Sequence, residues 1–149
     1  MNLDLMDKEL RRDEGVRYVR YLDSRGIPTT GVGHNLSAAP LPAGWSFPLN
    51  DTQVNQLLNH DLAVTLAGLD LHLPWWRKLD EVRQRVIANM AFNMGIDKLL
   101  GFKNSLAAVQ RGAYAVAAAG MKASRWYSQV GQRAVRLRMA MESGVMPAA

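Results

Sequence analysis

The stretch DEGVRYVRYLDSRGIPTTGVGH, Asp13–His34, decides how the chain is read. Just ahead of it, Leu3, Met6 and Leu10 recur at helical spacing, so the chain opens with a short amphipathic helix. Gly15 is the natural stop for that helix. Glu14, one of only four glutamates in the chain, then falls in the last turn. There the negative end of the helix dipole disfavours its ionised form. VRYVRYL and Ile27–Val32 are β-prone runs on either side of Asp23-Ser24-Arg25-Gly26, which predicts a hairpin. Pro28 suggests that the returning strand is an edge strand or an irregular one. Gly31 and Gly33 would let the backbone turn or approach another group closely.

Outward from the hairpin the chain becomes helical. Residues 35–50, NLSAAPLPAGWSFPLN, contain three prolines and read as a loop. A long helix is predicted over Asp51–Leu71, opened by an Asn50/Gln53 capping box. Val54, Leu57, Leu58, Leu62, Leu66 and Leu69 form its apolar stripe, and it spans about 30 Å. Further helices are expected over Leu79–Met94, closed by Gly95, and over Asn104–Arg111, Ala113–Lys122 and Gln132–Glu142. The last carries arginines on one side and Val135 and Met139 on the other. The expected class is α+β, predominantly α-helical, in one unit of two lobes. The small α+β lobe covers 13–50, a connecting helix 51–73, and the helical lobe 1–12 with 74–149.

The 149 residues suffice for one globular unit with a real core. With 48% hydrophobic and 21% charged residues, the composition excludes a disordered chain. There are no cysteines, hence no disulfides and no thiolate metal site. No apolar run approaches the roughly 20 residues of a membrane span. The first residues lack the pattern of a secretion signal, so the expected location is the cytoplasm until another protein gives release. The net charge of +5 is uneven. Residues 1–76 hold 6 Lys/Arg against 9 Asp/Glu, and residues 77–149 hold 12 against 4. Such a basic half favours a polyanion: nucleic acid, anionic lipid or an acidic wall polymer.

Three polar residues of the opening stretch could carry chemistry together. Glycoside cleavage needs a proton donor at the leaving oxygen and an anionic group opposite it. Glu14 at a helix end and Asp23 at a hairpin turn, nine positions apart, can converge across the mouth of a cleft. Thr29 offers a hydroxyl within reach of Asp23, and a hydroxyl beside a carboxylate can hold one water. Acids at helix ends and turns are commonly just solvated or capping groups. Asp61 falls on or beside the apolar stripe of the long helix, where an unpaired carboxylate is costly. His34, His60 and Asp61 lack a familiar metal-ligand spacing, so no metal is expected.

Glu14, Asp23 and Thr29, with eight and five residues between them, resemble the catalytic pattern of the phage-type lysozymes, the glycoside hydrolase family that includes the T-even phage enzymes. DEG at 13–15, T-x-G-x-GH at 29–34, FxNSL at 102–106, SRWY at 124–127 and QRAVR at 132–136 follow the family's order. The resemblance implies a two-lobed lysozyme-like fold, with Glu14 as general acid. Asp23 would act on the opposite face, as general base or nucleophile, and Thr29 would position the water. It implies saccharide contacts at Asn35, Phe92 and Ser105. It also implies a structural salt bridge between His34 and Asp61, and Arg133 and Arg136 paired with Glu14 and Asp13. Gly120 stands where the family has a substrate-touching asparagine, Asn93 replaces a glutamine, and Trp75-Trp76 has no evident counterpart. The span between His34 and the long helix is shorter than in the T-even enzymes, so a reduced sheet lacking a third strand is expected.

The implied activity is hydrolysis of the β-1,4 bond from N-acetylmuramic acid to N-acetylglucosamine in peptidoglycan, causing lysis of the host cell. No cofactor is implied, nor nucleic-acid binding or stable membrane insertion. A monomer released to the wall by a separate phage holin is expected. The alternatives are a catalytically silent peptidoglycan-binding module of the same fold and, from the arginine-rich last helix, a nucleic-acid-binding protein.

Overall fold

The computed structural model describes residues 1–148, so the final position of the expected 1–149 domain lies outside the described residues. Among these residues the fold is α+β, mostly helical, with eight α-helices and one three-stranded antiparallel sheet. The chain forms two compact units, residues 4–64 and residues 1–3 with 65 onward.

In the first unit, helix α1 (Leu3–Glu14) buries Met6 and Leu10 completely. Gly15 ends it as expected, with φ +74 and its N–H 3.0 Å from the Arg11 carbonyl. Strands β1 (Arg17–Leu22), β2 (Pro28–Gly31) and β3 (His34–Asn35) lie in the order β1-β2-β3. Two expectations are corrected here. A third strand is present, though only two residues long, because Gly31 and Gly33 (φ +62 and +63) turn the chain back at once. Consequently β2 is the central strand and not an edge. Pro28 is tolerated as its first residue, where its carbonyl accepts the Leu36 N–H at 2.9 Å.

The β1–β2 register has an irregularity that bears on the site. Arg17 opposes Gly31 and Tyr21 opposes Thr29, so β1 advances four residues while β2 advances two. The bulged segment is held by the Thr30 hydroxyl, which donates to the Val19 carbonyl at 3.0 Å. The loop after β3 returns to the outer edge of β1, where the Leu49 N–H meets the Tyr18 carbonyl at 2.7 Å. Helix α2 (Asp51–His72) opens with the predicted capping box: Asn50 Oδ1 accepts the Gln53 N–H at 2.8 Å, and Gln53 Oε1 the Asn50 N–H at 3.0 Å. Val54, Leu57, Leu58 and Leu62 on α2 are buried, as are Val32 and Leu49.

The second unit is helical. Beyond α2, a 3₁₀ turn at Trp76–Lys78 buries Trp76 completely, its indole N–H donating to Asp70 Oδ1 at 2.8 Å. Arg77 grips the same carboxylate and lies over the Trp76 ring, its guanidinium carbon 4.7 Å from the centroid. Trp76 is therefore a core residue. Helix α3 (Glu81–Met94) starts later than expected, because Leu79 is extended and Asp80 accepts the Arg83 N–H as N-cap. Every residue from Gln84 to Ala91 is buried, which makes α3 the axis of this unit.

Short α4 (Ile96–Leu100) leads to α5 (Lys103–Gln110), α6 (Tyr114–Lys122), α7 (Arg125–Val130) and α8 (Gln132–Ser143). Helix α8 packs on α3, α6 and α7, and α6 also packs on α5. The expected apolar face of α8 is corrected. Met139 is largely exposed, and the buried set is Ala134, Leu137, Ala140 and Met141. These recur at three- and four-residue steps, the spacing of one helix face.

Candidate active site

Glu14 is the last residue of α1, and its side chain lies on the backbone of Gly33 in the β2–β3 turn. A Cβ at Gly33 would stand 2.7 Å from Glu14 Cδ, 2.9 Å from Oε1 and 3.0 Å from Cγ. A side chain there would collide with the carboxyl group, and φ +63 independently favours glycine. The sequence marked Gly33 as a place of close approach, and the approaching group is Glu14.

Asp23 and Thr29 are fastened to one peptide segment, Ile27. The Ile27 N–H donates to Asp23 Oδ1 at 2.9 Å, and its carbonyl accepts the Thr29 hydroxyl at 2.7 Å and the Asp23 N–H at 3.0 Å. Asp23 Oδ1 also accepts the Arg25 N–H at 2.8 Å, and Arg25 Nη2 lies 3.3 Å from Oδ2. Burial alone would raise the Asp23 pKa. The N–H groups of Ile27 and Arg25, with the Arg25 guanidinium, outweigh it and hold the carboxyl below the usual aspartate value. Asp23 is thus an anion at neutral pH, and Thr29 is 4% exposed with its proton already committed.

Tyr21 sits beyond the β1 bulge, opposite Thr29, with the Arg17 guanidinium 4.6 Å above its ring. Its pKa is raised, first by burial, then by the Glu14 charge, with Asp23 adding and Arg17 opposing. One phenol therefore feels both carboxylates. Sequence reading took Tyr21 only for a strand residue, because nothing before folding tells which tyrosine the bulge will turn toward the acids.

His34 is nearly inaccessible. Its Nδ1 lies 2.7 Å from Asp61 Oδ2, and its Nε2 lies 2.7 Å from the Ala39 carbonyl. Both partners offer acceptor oxygens, an arrangement that the doubly protonated, cationic ring satisfies in full. Burial pulls its pKa down, but the hydrogen bonds to Asp61 and Ala39 and the Asp61 charge prevail and raise it. Because the folded pKa exceeds the unfolded one, this stabilisation is full below the unfolded value, about 6.5. It is lost as pH rises through the folded pKa. Asp61→Asn is expected to cost roughly 1.5–3 kcal/mol at pH 5. The difference from wild type should shrink in alkaline melts, and a constant difference at every pH would remove the charge from the explanation.

The other expected site residues have these settings. Asn35 Oδ1 accepts the Ser37 and Ala38 N–H groups at 2.9 and 3.0 Å, an Asx turn that opens the following loop. In the second unit, Phe92 on α3 is half-buried, and Ser105 on α5 is buried beneath Gly120 of α6. A Cβ at Gly120 would clash with Ser105 Oγ, so the serine hydroxyl occupies the room that a side chain there would need. Trp126 donates to Asn93 Oδ1 at 2.8 Å and meets Phe102 edge-on at 6.1 Å. Arg133 is buried and its Nε donates to Asn89 Oδ1 at 2.8 Å, while Arg136 is half-buried on the same helix. Asp13, next to Glu14, receives Arg12 Nε at 3.1 Å.

Residues 11–141 match the profile of the family described as phage lysozyme. The pre-baseplate central spike protein Gp5 of Enterobacteria phage T4 is 30% identical over 93% of this chain, which spans only 28% of that longer protein. Probable T4-type lysozyme 1 of Dictyostelium discoideum is 28% identical, over 93% of this chain and 94% of its own length. The endolysin of Salmonella phage P22 is 29% identical over 62% of each chain. These matches place the protein among the lysozyme enzymes, with peptidoglycan as substrate. The chain belongs to the phage lysozyme family.

Proposed function

We propose that the protein is a muramidase cleaving the β-1,4 bond between N-acetylmuramic acid and N-acetylglucosamine, with Glu14 as general acid and Asp23 as general base. Glu14 gives its proton to the bridging oxygen as that bond to the anomeric carbon breaks. A water attacks the anomeric carbon from the opposite face and passes a proton to Asp23. Thr29 aligns this water: its own proton goes to the Ile27 carbonyl, so its free lone pair receives one from the water. Asn35, Phe92 and Ser105 are the saccharide contacts that the family resemblance suggests. Arg133 and Arg136 are supporting residues, as is the His34–Asp61 pair.

The observation that carries this reading is the Ile27 peptide, which ties base and hydroxyl to one rigid point. Pre-set geometry of this kind suits a single captured water better than a covalent intermediate. Acting as a monomer and admitted to the wall by a separate phage holin, such an enzyme would lyse the host cell.

The test is clearing of a peptidoglycan suspension, followed by NMR of the first product formed from a defined glycan. Inversion predicts the α-anomer. An initial β-anomer would instead make Asp23 a nucleophile, and no clearing by folded protein would leave a glycan-binding module.

A further inference from the structure

A carboxylate offers about four acceptor positions, two on each oxygen. On Asp23 both positions of Oδ1 are taken, by the Arg25 and Ile27 N–H groups. Oδ2 faces the Arg25 guanidinium through one nitrogen at 3.3 Å, which leaves a single position on that oxygen. The two oxygens therefore have different work: Oδ1 holds the turn and Oδ2 is available for chemistry. Among the described residues Arg25 is the one side chain hydrogen-bonded to Oδ2, and it is half-exposed and makes no other ion pair there. The remaining groups around Asp23 come from β1 and α1. The Tyr21 phenol feels the Asp23 charge, and Glu14 and Arg17 act on the same ring.

We propose that Arg25 is a positioning residue for the hydrolysis: its guanidinium orients Oδ2 as the oxygen that takes the water's proton. The inference rests on Asp23 being the base. A single-point grip suits the task, because a two-point grip would occupy the last lone pair and block the water. The charge of Arg25 supports the Asp23 anion, while the flat guanidinium fixes its direction. Lysine would supply the first and not the second.

Three variants, Arg25→Gln, Arg25→Lys and Asp23→Asn, test this by two readouts. One is the pH dependence of turnover on peptidoglycan. The other is the carboxyl carbon titration of Asp23 by NMR, which needs no activity. Arg25→Gln should move the Asp23 midpoint and the acid limb of the rate profile to higher pH. On that limb the rate should fall about two- to five-fold, the range open to a half-exposed ion pair. Arg25→Lys should restore the midpoint while kcat stays below wild type. High salt should erase the midpoint difference between wild type and Arg25→Gln. Coinciding midpoints and acid limbs in folded Arg25→Gln and wild type would overturn the role of Arg25. Should Asp23→Asn remain fully active, the underlying assignment of the base fails instead.

Discussion

Glu14→Gln should fold and melt like the wild type and lose about 10²–10⁴-fold of its turnover, the usual contribution of a general acid. The substitution keeps the length and shape of the side chain, so the packing on the Gly33 backbone survives. What disappears is the transferable proton. Measurement requires both a melting curve and a single-turnover rate on a defined glycan, since a misfolded variant would also be inactive. A well-folded Gln variant with normal turnover would transfer the acid role to another group and remove the basis of the mechanism.

The second large effect is expected from a residue with no side chain. Gly33→Ala places a methyl where the Glu14 carboxyl now lies, and it does so at φ +63. The backbone conformation alone costs roughly 1–2 kcal/mol for an L-residue. The collision is relieved cheaply, because Glu14 is flexible, but the relief moves the acid. Displacement of a reacting group by about 1 Å can cost around 10²-fold in rate. Gly44→Ala is the control: it has φ +85 and open space around it, so it carries the backbone cost without the push on Glu14. Gly33→Ala should therefore lose activity far beyond its loss in melting temperature, and Gly44→Ala should lose only stability. Equal behaviour of the two alanine variants would mean that the contact with Gly33 does not position the acid.

The parts of the fold legible in the sequence were those whose signal is local and repeated. The apolar stripe of α2 and its Asn50/Gln53 cap declare themselves within a few residues, as does the Gly15 stop after α1. Helices α4 and α7 and the 3₁₀ turn at Trp76 are too short to show a period, so they went unmarked. Strand β3 escaped for the same reason, having two residues and a pairing fixed by the glycine turn. The buried face of α8 was misread because arginines share it: Arg133 is buried against Asn89, while apolar Met139 points outward. Burial there follows tertiary packing and not hydropathy.

The candidate site divides in the same way. Type and spacing make Glu14, Asp23 and Thr29 only suggestive, and the family resemblance is what singles them out; Gly33 stands out by its backbone freedom. Their partners could not be picked out. Tyr21 faces the acids only because β1 carries two more residues than β2 over the same stretch. Arg25 looked like an ordinary turn residue, and its meeting with Oδ2 depends on how the hairpin closes.

Because Ile27 anchors Asp23 and Thr29 through its amide and carbonyl, the isoleucine side chain takes no part in those contacts. Evolution is then free to redecorate position 27 with nearly any residue that keeps an amide hydrogen. The partly exposed side chain at this turn can change in size and polarity while the hydrogen bonds beneath it stay unaltered.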